Sequence, residues 1–206
     1  MIRPDTTRLL LLRHAETAAP DRFHGAESDI ALGERGRRQA IAVASALARE
    51  SPQRLYCSGM LRAIETASAI AATTGLDPII IPEFHERKMG PLSGQAYADT
   101  SHHYHESRTQ WMAGNLDATH EGGESYAQVR DRVLPRLRAV LDAETGKTIV
   151  IVIHGMVMRV IFSEWLQGFG IADFIEFPTE NAAINDLQWD GRRLHPTLMN
   201  LIPDLS

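Results

Sequence analysis

Two histidines stand directly behind strongly apolar runs of the sequence, where they could act on a bound ligand. Arg13 and His14 follow the run Leu9–Leu12, and His154 follows the run 149–153. Histidine can serve as a nucleophile or as a proton carrier, and arginine presents a planar fork of donors to oxyanions. A single histidine behind a strand is more often structural. Two of them, one beside an arginine, predict a shared site for an anion.

A second arginine belongs to the same hypothesis. The short apolar stretch Arg54–Cys57 gives way to Ser58-Gly59, and Arg62 then falls in the first turn of a predicted helix. Taken alone, Arg62 would be an exposed helical side chain, but the neighbouring strand ends place it at the same edge as both histidines. Helix N-termini behind Gly59 and Gly155 would add backbone donors and a favourable dipole. Together these features predict an oxyanion pocket.

The elements that position these residues follow from hydrophobic periodicity. Strand-type runs alternate with helical patterns, and the predicted strands are 9–12, 54–57, 79–81 and 148–153. The predicted helices are 36–49, 60–74, 125–143 with Ser125 as N-cap, and 156–166. Asp190-Gly191 is a hairpin turn signal between two further strands. The alternation predicts an α/β three-layer sandwich: a mostly parallel central sheet, helices on both faces and an antiparallel edge hairpin. Ligands then bind at the carboxyl ends of the strands.

Length and composition limit the class of protein. The 206 residues suit one domain, 1–206, in which the weakly periodic segment 93–121 predicts a lid with one short helix. No apolar run is long enough to span a membrane, and Leu9–Leu12 is too short for a signal-peptide core. Cys57 is the single cysteine, so we expect no internal disulfide and a cytoplasmic location. A net charge of -5 argues against nucleic-acid binding.

Six short motifs follow one another between about Leu9 and Asn185, most of the chain. They are Arg13-His14-Ala15-Glu16-Thr17, Asp29-Ile30-Ala31-Leu32 with Gly36, Ser58-Gly59-Met60-Leu61-Arg62-Ala63, Phe84-His85-Glu86 with Gly90, Gly122-Gly123-Glu124-Ser125, and Val152-Ile153-His154-Gly155. In this order they resemble the histidine phosphatase superfamily, which includes the cofactor-dependent phosphoglycerate mutases. Each motif is weak alone, but the ordered set is specific.

The resemblance implies a role for each residue of the catalytic set. His14 would attack phosphorus and carry the phosphoryl group, while Glu86 would protonate the leaving oxygen and later deprotonate the attacking water. The phosphoryl oxygens would be held by Arg13, Arg62 and His154. Such a phosphomonoesterase would act on a small phosphorylated metabolite through a phosphohistidine, with no metal ion and no cofactor. Nearby arginines favour the neutral histidine that this attack requires.

The sequence departs from the family pattern around the signature. Ala15 stands where glycine is usual, and no asparagine can be placed a few residues further on, in the stretch 18–21. We therefore expect His24 and Gly25 to line that side of the pocket and Gly155 to contact the substrate. Glu16 is expected to pair with a local arginine.

A phosphoglycerate mutase is the nearest alternative function. Family mutases resemble one another in a long basic insertion, whereas here the segment 95–121 is short and Arg108 is its only arginine or lysine. This favours hydrolysis and predicts few cations for a second anionic group on the substrate. A non-catalytic phosphate-binding protein is a further alternative, but it would be expected to lack one of the catalytic residues, and all are present.

Other chemistries fit less well. Four residues separate Cys57 from Arg62, whereas the loop of cysteine phosphatases needs five, and Gly123–Ala127 lacks the final glycine of a serine hydrolase motif. A histidine cluster in the lid has no cysteine or close carboxylates to complete a zinc site, and we expect it to be part of a polar lid; its members are His102, His103 and His105. The natural substrate and the choice between monomer and homodimer stay open.

Overall fold

The strands form one sheet whose order matches the predicted architecture. In a computed structural model of the protein, residues 6–205 are described, apart from the side chains of residues 100, 101 and 103. The strands are β1 Thr7–Arg13, β2 Arg54–Ser58, β3 Pro78–Ile81, β4 Thr148–Ile153, β5 Ile184–Trp189 and β6 Leu194–Leu201. They lie in the order β3-β2-β4-β1-β5-β6, and β3, β2, β4 and β1 are mutually parallel. The mostly parallel sheet is therefore confirmed.

The predicted edge hairpin is confirmed, with a longer connection. β5 runs antiparallel to both β1 and β6. The connection covers residues 190–193, since Trp189 pairs with Leu194. Asp190 holds it together because its carboxylate accepts hydrogen bonds from the backbone N–H groups of Arg192 at 2.8 Å and Arg193 at 2.7 Å. The prediction of a two-residue turn at Asp190-Gly191 was therefore wrong, because the connection has four residues.

Helices cover both faces of the sheet. They are α1 Glu34–Ala48, α2 Leu61–Thr74, α3 Tyr97–Met112, α4 Tyr126–Ala143 and α5 Gly155–Trp165. Leu10 and Leu12 of β1 point toward α1 and α2, whereas Leu9 and Leu11 point toward α4 and α5. This alternation follows from the two-residue period of a strand, and it confirms the three-layer sandwich. Among the described residues, no helix combines the length and apolar character needed to cross a membrane.

Local signals set two helix ends as expected. Ser125 is the N-cap of α4: its hydroxyl accepts a hydrogen bond from Gln128 N–H at 3.2 Å, and the Gln128 side chain accepts one from Ser125 N–H at 2.8 Å. This reciprocal pair is a capping box. Gly75 ends α2 in the left-handed conformation, with φ of 74°.

The segment after residue 93 is more ordered than the sequence indicated. A short helix was expected within 93–121, but α3 is 16 residues long. Its hydrophobic periodicity is weak because few of its side chains are buried: Ser107 and Trp111 face inward, and most others are exposed. A helix that packs along so narrow a face has little pattern for sequence reasoning to detect.

Candidate active site

The two predicted histidines emerge from neighbouring strands. Arg13 pairs with Ile153 in the register of β1 and β4, and His14 N–H donates to Ile153 O at 2.9 Å. The imidazole centroids of His14 and His154 are 5.1 Å apart. Parallel strands that end at the same edge therefore bring together side chains 140 positions apart in the sequence.

The hydrogen bonds of His14 fix which ring nitrogen is available for attack. Nδ1 lies 2.8 Å from the carbonyl oxygen of Ala15, and because a carbonyl can only accept, Nδ1 must carry the proton. Nε2 then holds the lone pair, toward which Arg62 Nε–H donates at 3.2 Å. Burial, followed by the charges of Arg62 and Arg13, holds the pKa of His14 well below its usual value. The side chain is thus neutral at physiological pH.

Arg62 lies behind the His14 ring and is fully buried. Its terminal nitrogens donate to Ser28 O at 2.8 Å and to His24 O at 3.1 Å. Burial lowers the pKa of Arg62 to about 10, so the guanidinium remains charged at neutral pH. The arginine therefore holds the loop 24–28 in place and keeps a positive charge next to the unprotonated ring nitrogen of His14.

His154 is oriented by Ser58. The two side chains are joined by a hydrogen bond of 2.8 Å between His154 Nε2 and Ser58 Oγ, and Oγ also accepts from Met60 N–H at 3.3 Å. The serine proton is then free to point at Nε2, an arrangement that favours the ring proton on Nδ1. His154 Nδ1 is buried and has no hydrogen-bond partner among the described residues. Burial and the charge of Arg62 hold the pKa of His154 well below its usual value.

Arg13 is held at the cavity by one of its three nitrogens. NH1 donates to Thr179 O at 2.8 Å, while Nε is buried and has no hydrogen-bond partner in the part of the chain that the structure describes. The side chain passes over Gly155, where an added Cβ would lie 3.4 Å from Nε. Arg13 thus packs against the first residue of α5 at an ordinary contact distance.

Glu86 joins the loop after β3 to α5. Its two carboxylate oxygens accept hydrogen bonds from the backbone N–H groups of Arg87 at 2.8 Å and Met156 at 3.2 Å. These bonds fix the carboxylate next to the first turn of α5, and Glu86 lines the same cavity as His14. The acid-block residue and the histidine nucleophile predicted from separate motifs therefore share one site.

The cavity has a volume of about 270 Å³, and His24, His14, Arg13, Glu86 and Gly155 are among its lining residues. Both ring nitrogens of His24 are engaged, by Ser28 Oγ at 2.9 Å and by Ala19 O at 2.7 Å.

Three of the predicted residues lie behind the cavity wall. Arg62 and His154 are fully buried, and neither is among the described residues that line the cavity. Gly25 is not among them either; it packs so closely that an added Cβ would lie 2.5 Å from Glu27 Oε2 and 2.8 Å from Met89. The contacts of these three residues with substrate stay predictions.

Sequence reasoning missed several residues of the cavity wall. Arg22, Arg87 and Arg159 line it together with Arg108, so the expectation of few cations was wrong. That expectation counted only the segment 95–121, whereas these three arginines come from other elements. Asn181 was also missed; it lines the cavity and donates to His14 O at 2.9 Å. Of these residues, only Arg159 could have been suspected from the sequence, because it stands five residues after His154 in a helix predicted to begin at the site.

The remaining candidates have structural environments. Glu16 pairs with Arg35 at 2.7 Å, as expected, and also lines the cavity. Cys57 is buried in the core, and burial raises the pKa of its thiol to about 11. His105 contacts Arg108, and the side chain of His103 lies outside the described residues. Within the described part of the chain, no group of three or more His, Cys, Asp or Glu side chains could hold a metal ion.

Fold and site together are those of a phosphoryl-transfer enzyme: a parallel α/β sheet carries a neutral histidine beside arginines at its carboxyl edge. The profile of the histidine phosphatase superfamily (branch 1) matches residues 9–202. The chain belongs to this superfamily, as the order of its motifs implied.

Several relatives of the chain are named as phosphatases, and others are named as phosphoglycerate mutases or as mutase-like proteins. The chain is 30% identical over 194 residues to a metal-independent phosphoserine phosphatase of Arabidopsis thaliana, covering 91% of this chain and 81% of the relative. It is 31% identical over 188 residues to phosphoserine phosphatase 1 of Hydrogenobacter thermophilus, covering 90% and 88%. A mycobacterial glucosyl-3-phosphoglycerate phosphatase with inorganic phosphate superposes with a TM-score of 0.78 at 26% identity, covering 94% and 96%. The protein is a phosphoric monoester hydrolase.

Proposed function

We propose that the protein hydrolyses a small phosphomonoester without a metal ion, through a phosphohistidine formed on His14. The observation that carries this proposal is the protonation pattern of His14. Its Nδ1–H is held by the Ala15 carbonyl, and its Nε2 lone pair lies 3.2 Å from the Arg62 Nε–H donor. A buried, neutral imidazole with its nucleophilic nitrogen beside a guanidinium is arranged to attack an anionic phosphoryl group.

In the first step, His14 Nε2 attacks phosphorus and the bond from phosphorus to the leaving oxygen breaks. Glu86 in its acid form donates its proton to that oxygen, so the product leaves as a neutral alcohol. The Ala15 carbonyl retains the Nδ1 proton and stabilises the positive charge that the ring gains. In the second step, water attacks the phosphohistidine, Glu86 takes its proton, and inorganic phosphate leaves with the histidine restored.

The transferring oxygens need fixed donors, and three are present around His14. Arg13 Nε and His154 Nδ1 are buried and have no hydrogen-bond partner among the described residues, so both could donate to a phosphoryl group. Arg62 Nε–H can turn from His14 Nε2 to an oxygen once that nitrogen is bonded to phosphorus. Preorganised donors of this kind stabilise the charge of a phosphoryl transfer without any reorganisation of water.

Around this set, we expect the backbone N–H of Gly155, the first residue of α5 and part of the cavity lining, to donate to the phosphoryl group. His24 lines the cavity and its carbonyl accepts a hydrogen bond from Arg62, whereas Gly25 lies behind the wall and packs on Met89. Two of the relatives are named as phosphatases of phosphoserine and of glucosyl-3-phosphoglycerate. Those names favour a small phosphorylated metabolite as the substrate, and the Arabidopsis relative is named as metal-independent.

The nucleophile can be tested directly. His14→Ala should lower turnover of 4-nitrophenyl phosphate by roughly 10³-fold or more and should abolish acid-labile labelling from a ³²P-phosphomonoester. EDTA should leave the wild-type rate unchanged. His195→Ala is a matched control, because His195 is exposed on β6 and pairs with Asp190. Labelling that persists in His14→Ala would place the nucleophile elsewhere, and a strict requirement for Mg²⁺ would exclude the proposed mechanism.

A further inference from the structure

The cavity concentrates positive charge on a protein whose net charge is -5. Five arginines line it: Arg13, Arg22, Arg87, Arg108 and Arg159. Among the described residues, none of the five has a carboxylate oxygen within 4.0 Å, whereas seven arginines elsewhere form such ion pairs. Arginines that line a cavity without a carboxylate partner are arranged to receive an anion from solution.

Two of these arginines come to the cavity from separate elements. Arg159 belongs to α5, and its NH1 donates to the carbonyl oxygens of Phe174 at 2.8 Å and Ile175 at 3.1 Å. Arg108 belongs to α3, with its guanidinium carbon 4.6 Å from the centroid of the Tyr104 ring. Both guanidinium groups are thus held in place before any ligand arrives.

Both arginines keep donors for a ligand. Arg108 Nε is buried and has no hydrogen-bond partner among the described residues. Arg159 uses only NH1 in the hydrogen bonds found among them. The charges of Arg108 and Arg13, after burial, contribute to a lowered pKa of Arg159. Because Arg13, Arg108 and Arg159 line one cavity, an anion bound there would be attracted by all three positive charges.

The charges of one phosphoryl group do not account for all of these cations. A phosphomonoester dianion is matched by Arg13 and Arg62, which the proposed mechanism assigns to it. Arg87 is fully buried and donates to Glu124 O at 2.6 Å, so it has a structural task. Arg22 is exposed and donates to Gly94 O at 2.8 Å. Arg108 and Arg159 are then the cavity arginines to which that scheme assigns no anionic group.

We propose that Arg108 and Arg159 bind a second anionic group of the substrate, so that the enzyme selects phosphomonoesters that also carry a carboxylate or a second phosphate. This inference rests on the proposed function, since it concerns the leaving group of the same reaction. The cavity volume of about 270 Å³ lies just below the usual range for drug-sized ligands, about 300–1,000 Å³. The substrate must therefore be a small molecule in which the two anionic groups lie close together.

Matched pairs of substrates test the preference. O-phosphoserine and O-phosphoethanolamine differ only by a carboxylate, as fructose 1,6-bisphosphate and fructose 6-phosphate differ by a phosphate. In at least one pair, the wild type should show a kcat/KM at least about tenfold higher for the member that carries the additional anionic group. The reason is that hydrogen bonds between charged groups are stronger than those between neutral groups. Which pair responds distinguishes a carboxylate from a second phosphate.

Substitution then tests the residues. Arg108→Gln and Arg159→Gln should each reduce that preference by about tenfold, with a much smaller fall in kcat/KM for 4-nitrophenyl phosphate. Arg38→Gln is the matched control, since Arg38 is exposed on α1 and pairs with Glu34 at 2.6 Å. Arg159 also donates to the carbonyl oxygens of residues 174 and 175, so the fold of the Arg159→Gln variant should be verified by circular dichroism. If Arg159→Gln does not fold, the Arg108→Gln variant tests the proposal, because Arg108 is only half-buried.

The outcomes separate the two proposals. A wild-type enzyme that hydrolyses 4-nitrophenyl phosphate but shows no preference within either pair overturns this inference alone. The same holds if the arginine variants lose activity equally on both members of a pair. A wild-type enzyme with no phosphatase activity at all removes the proposed function, and the inference falls with it.

Discussion

At the scale of single residues, one environment serves two purposes around His14. Burial and the charges of Arg62 and Arg13 favour the neutral imidazole, and in the proposed mechanism the same arginines attract the anion that His14 attacks. An isolated buried histidine would also be neutral, but it would have nothing to draw a phosphate toward it. The pairing of histidine with arginine is therefore what makes this position suitable for nucleophilic attack.

The lowered pKa values of His14 and His154 predict how stability depends on pH. Each group binds a proton more weakly in the folded state than in the unfolded state, where its pKa is about 6.5. Their contribution to stability is complete above that value and is lost as pH falls below it toward the folded pKa. The free energy of unfolding should then decrease by up to about 1.4 kcal/mol per pH unit for each histidine.

Urea unfolding at pH 7.5, 6.5 and 5.5 measures this slope. His14→Gln removes one of the two groups, so its loss of stability between pH 6.5 and 5.5 should be smaller than that of the wild type by up to about 1.4 kcal/mol. Carboxylates titrate equally in both proteins and cancel in the difference. Identical slopes would show that His14 does not have a lowered pKa.

At the scale of elements, α1 and α2 hold the backbone that carries His14, the proposed nucleophile. The N–H of Ala15 donates to Thr66 Oγ1 on α2 at 3.0 Å, and the N–H of Glu16 donates to Gln39 Oε1 on α1 at 2.9 Å. α1 approaches so closely at Gly36 that an added Cβ would lie 1.9 Å from Glu16 O. The signature segment is thus positioned from both helices, and the glycine at 36 is required by contact with backbone.

Gly36→Ala should therefore damage both stability and activity. In an ordinary helix this change stabilises by about 0.5–1 kcal/mol, but here the methyl group must displace α1 or the signature backbone. We expect a loss of about 1–3 kcal/mol in the free energy of unfolding and a fall of roughly tenfold or more in kcat/KM. Arg38→Ala, exposed on the same helix, is the control for helix propensity. A stabilised, fully active Gly36→Ala would show that the two segments are not in contact.

At the scale of the whole molecule, the sheet separates two cores. Val43 of α1 packs in the cluster on one face, and Val133 of α4 packs in the cluster on the other. Both side chains are fully buried. Since the strands lie between them, neither valine shares packing neighbours with the other face, and the site at the carboxyl edge depends on both cores being intact.

Val43→Ala and Val133→Ala should each lower the free energy of unfolding by about 1–3 kcal/mol, from two lost methyl groups and the space left behind. The double variant should lose the sum within about 0.5 kcal/mol, because distant sites without shared partners are additive. Chemical denaturation of the four proteins completes the cycle. A coupling energy above about 1 kcal/mol would mean that the cores respond to each other through the sheet.

Much of the fold and half of the site could be predicted from the sequence, because the signals are local. The run Leu9–Leu12 and the run 149–153 are uniformly apolar, because strands covered on both faces bury all of their side chains. Each is followed by its histidine, and Ser125 caps α4 with its own neighbours. The motif order added Arg62 and Glu86. Periodicity, capping and strand ends are properties of a few consecutive residues, so the sequence alone determines them.

Only the tertiary structure decided which residues meet at the cavity. Arg22, Arg87, Arg108 and Arg159 come from four separate parts of the chain, and no local pattern relates them. The length of α3 was equally hidden, because that helix buries only a narrow face. The positions of Arg62 and His154 behind the nucleophile depend on how helices pack on the sheet edge. Reaction class follows from residues joined to strand ends, whereas the shape and charge of the substrate site arise from long-range packing.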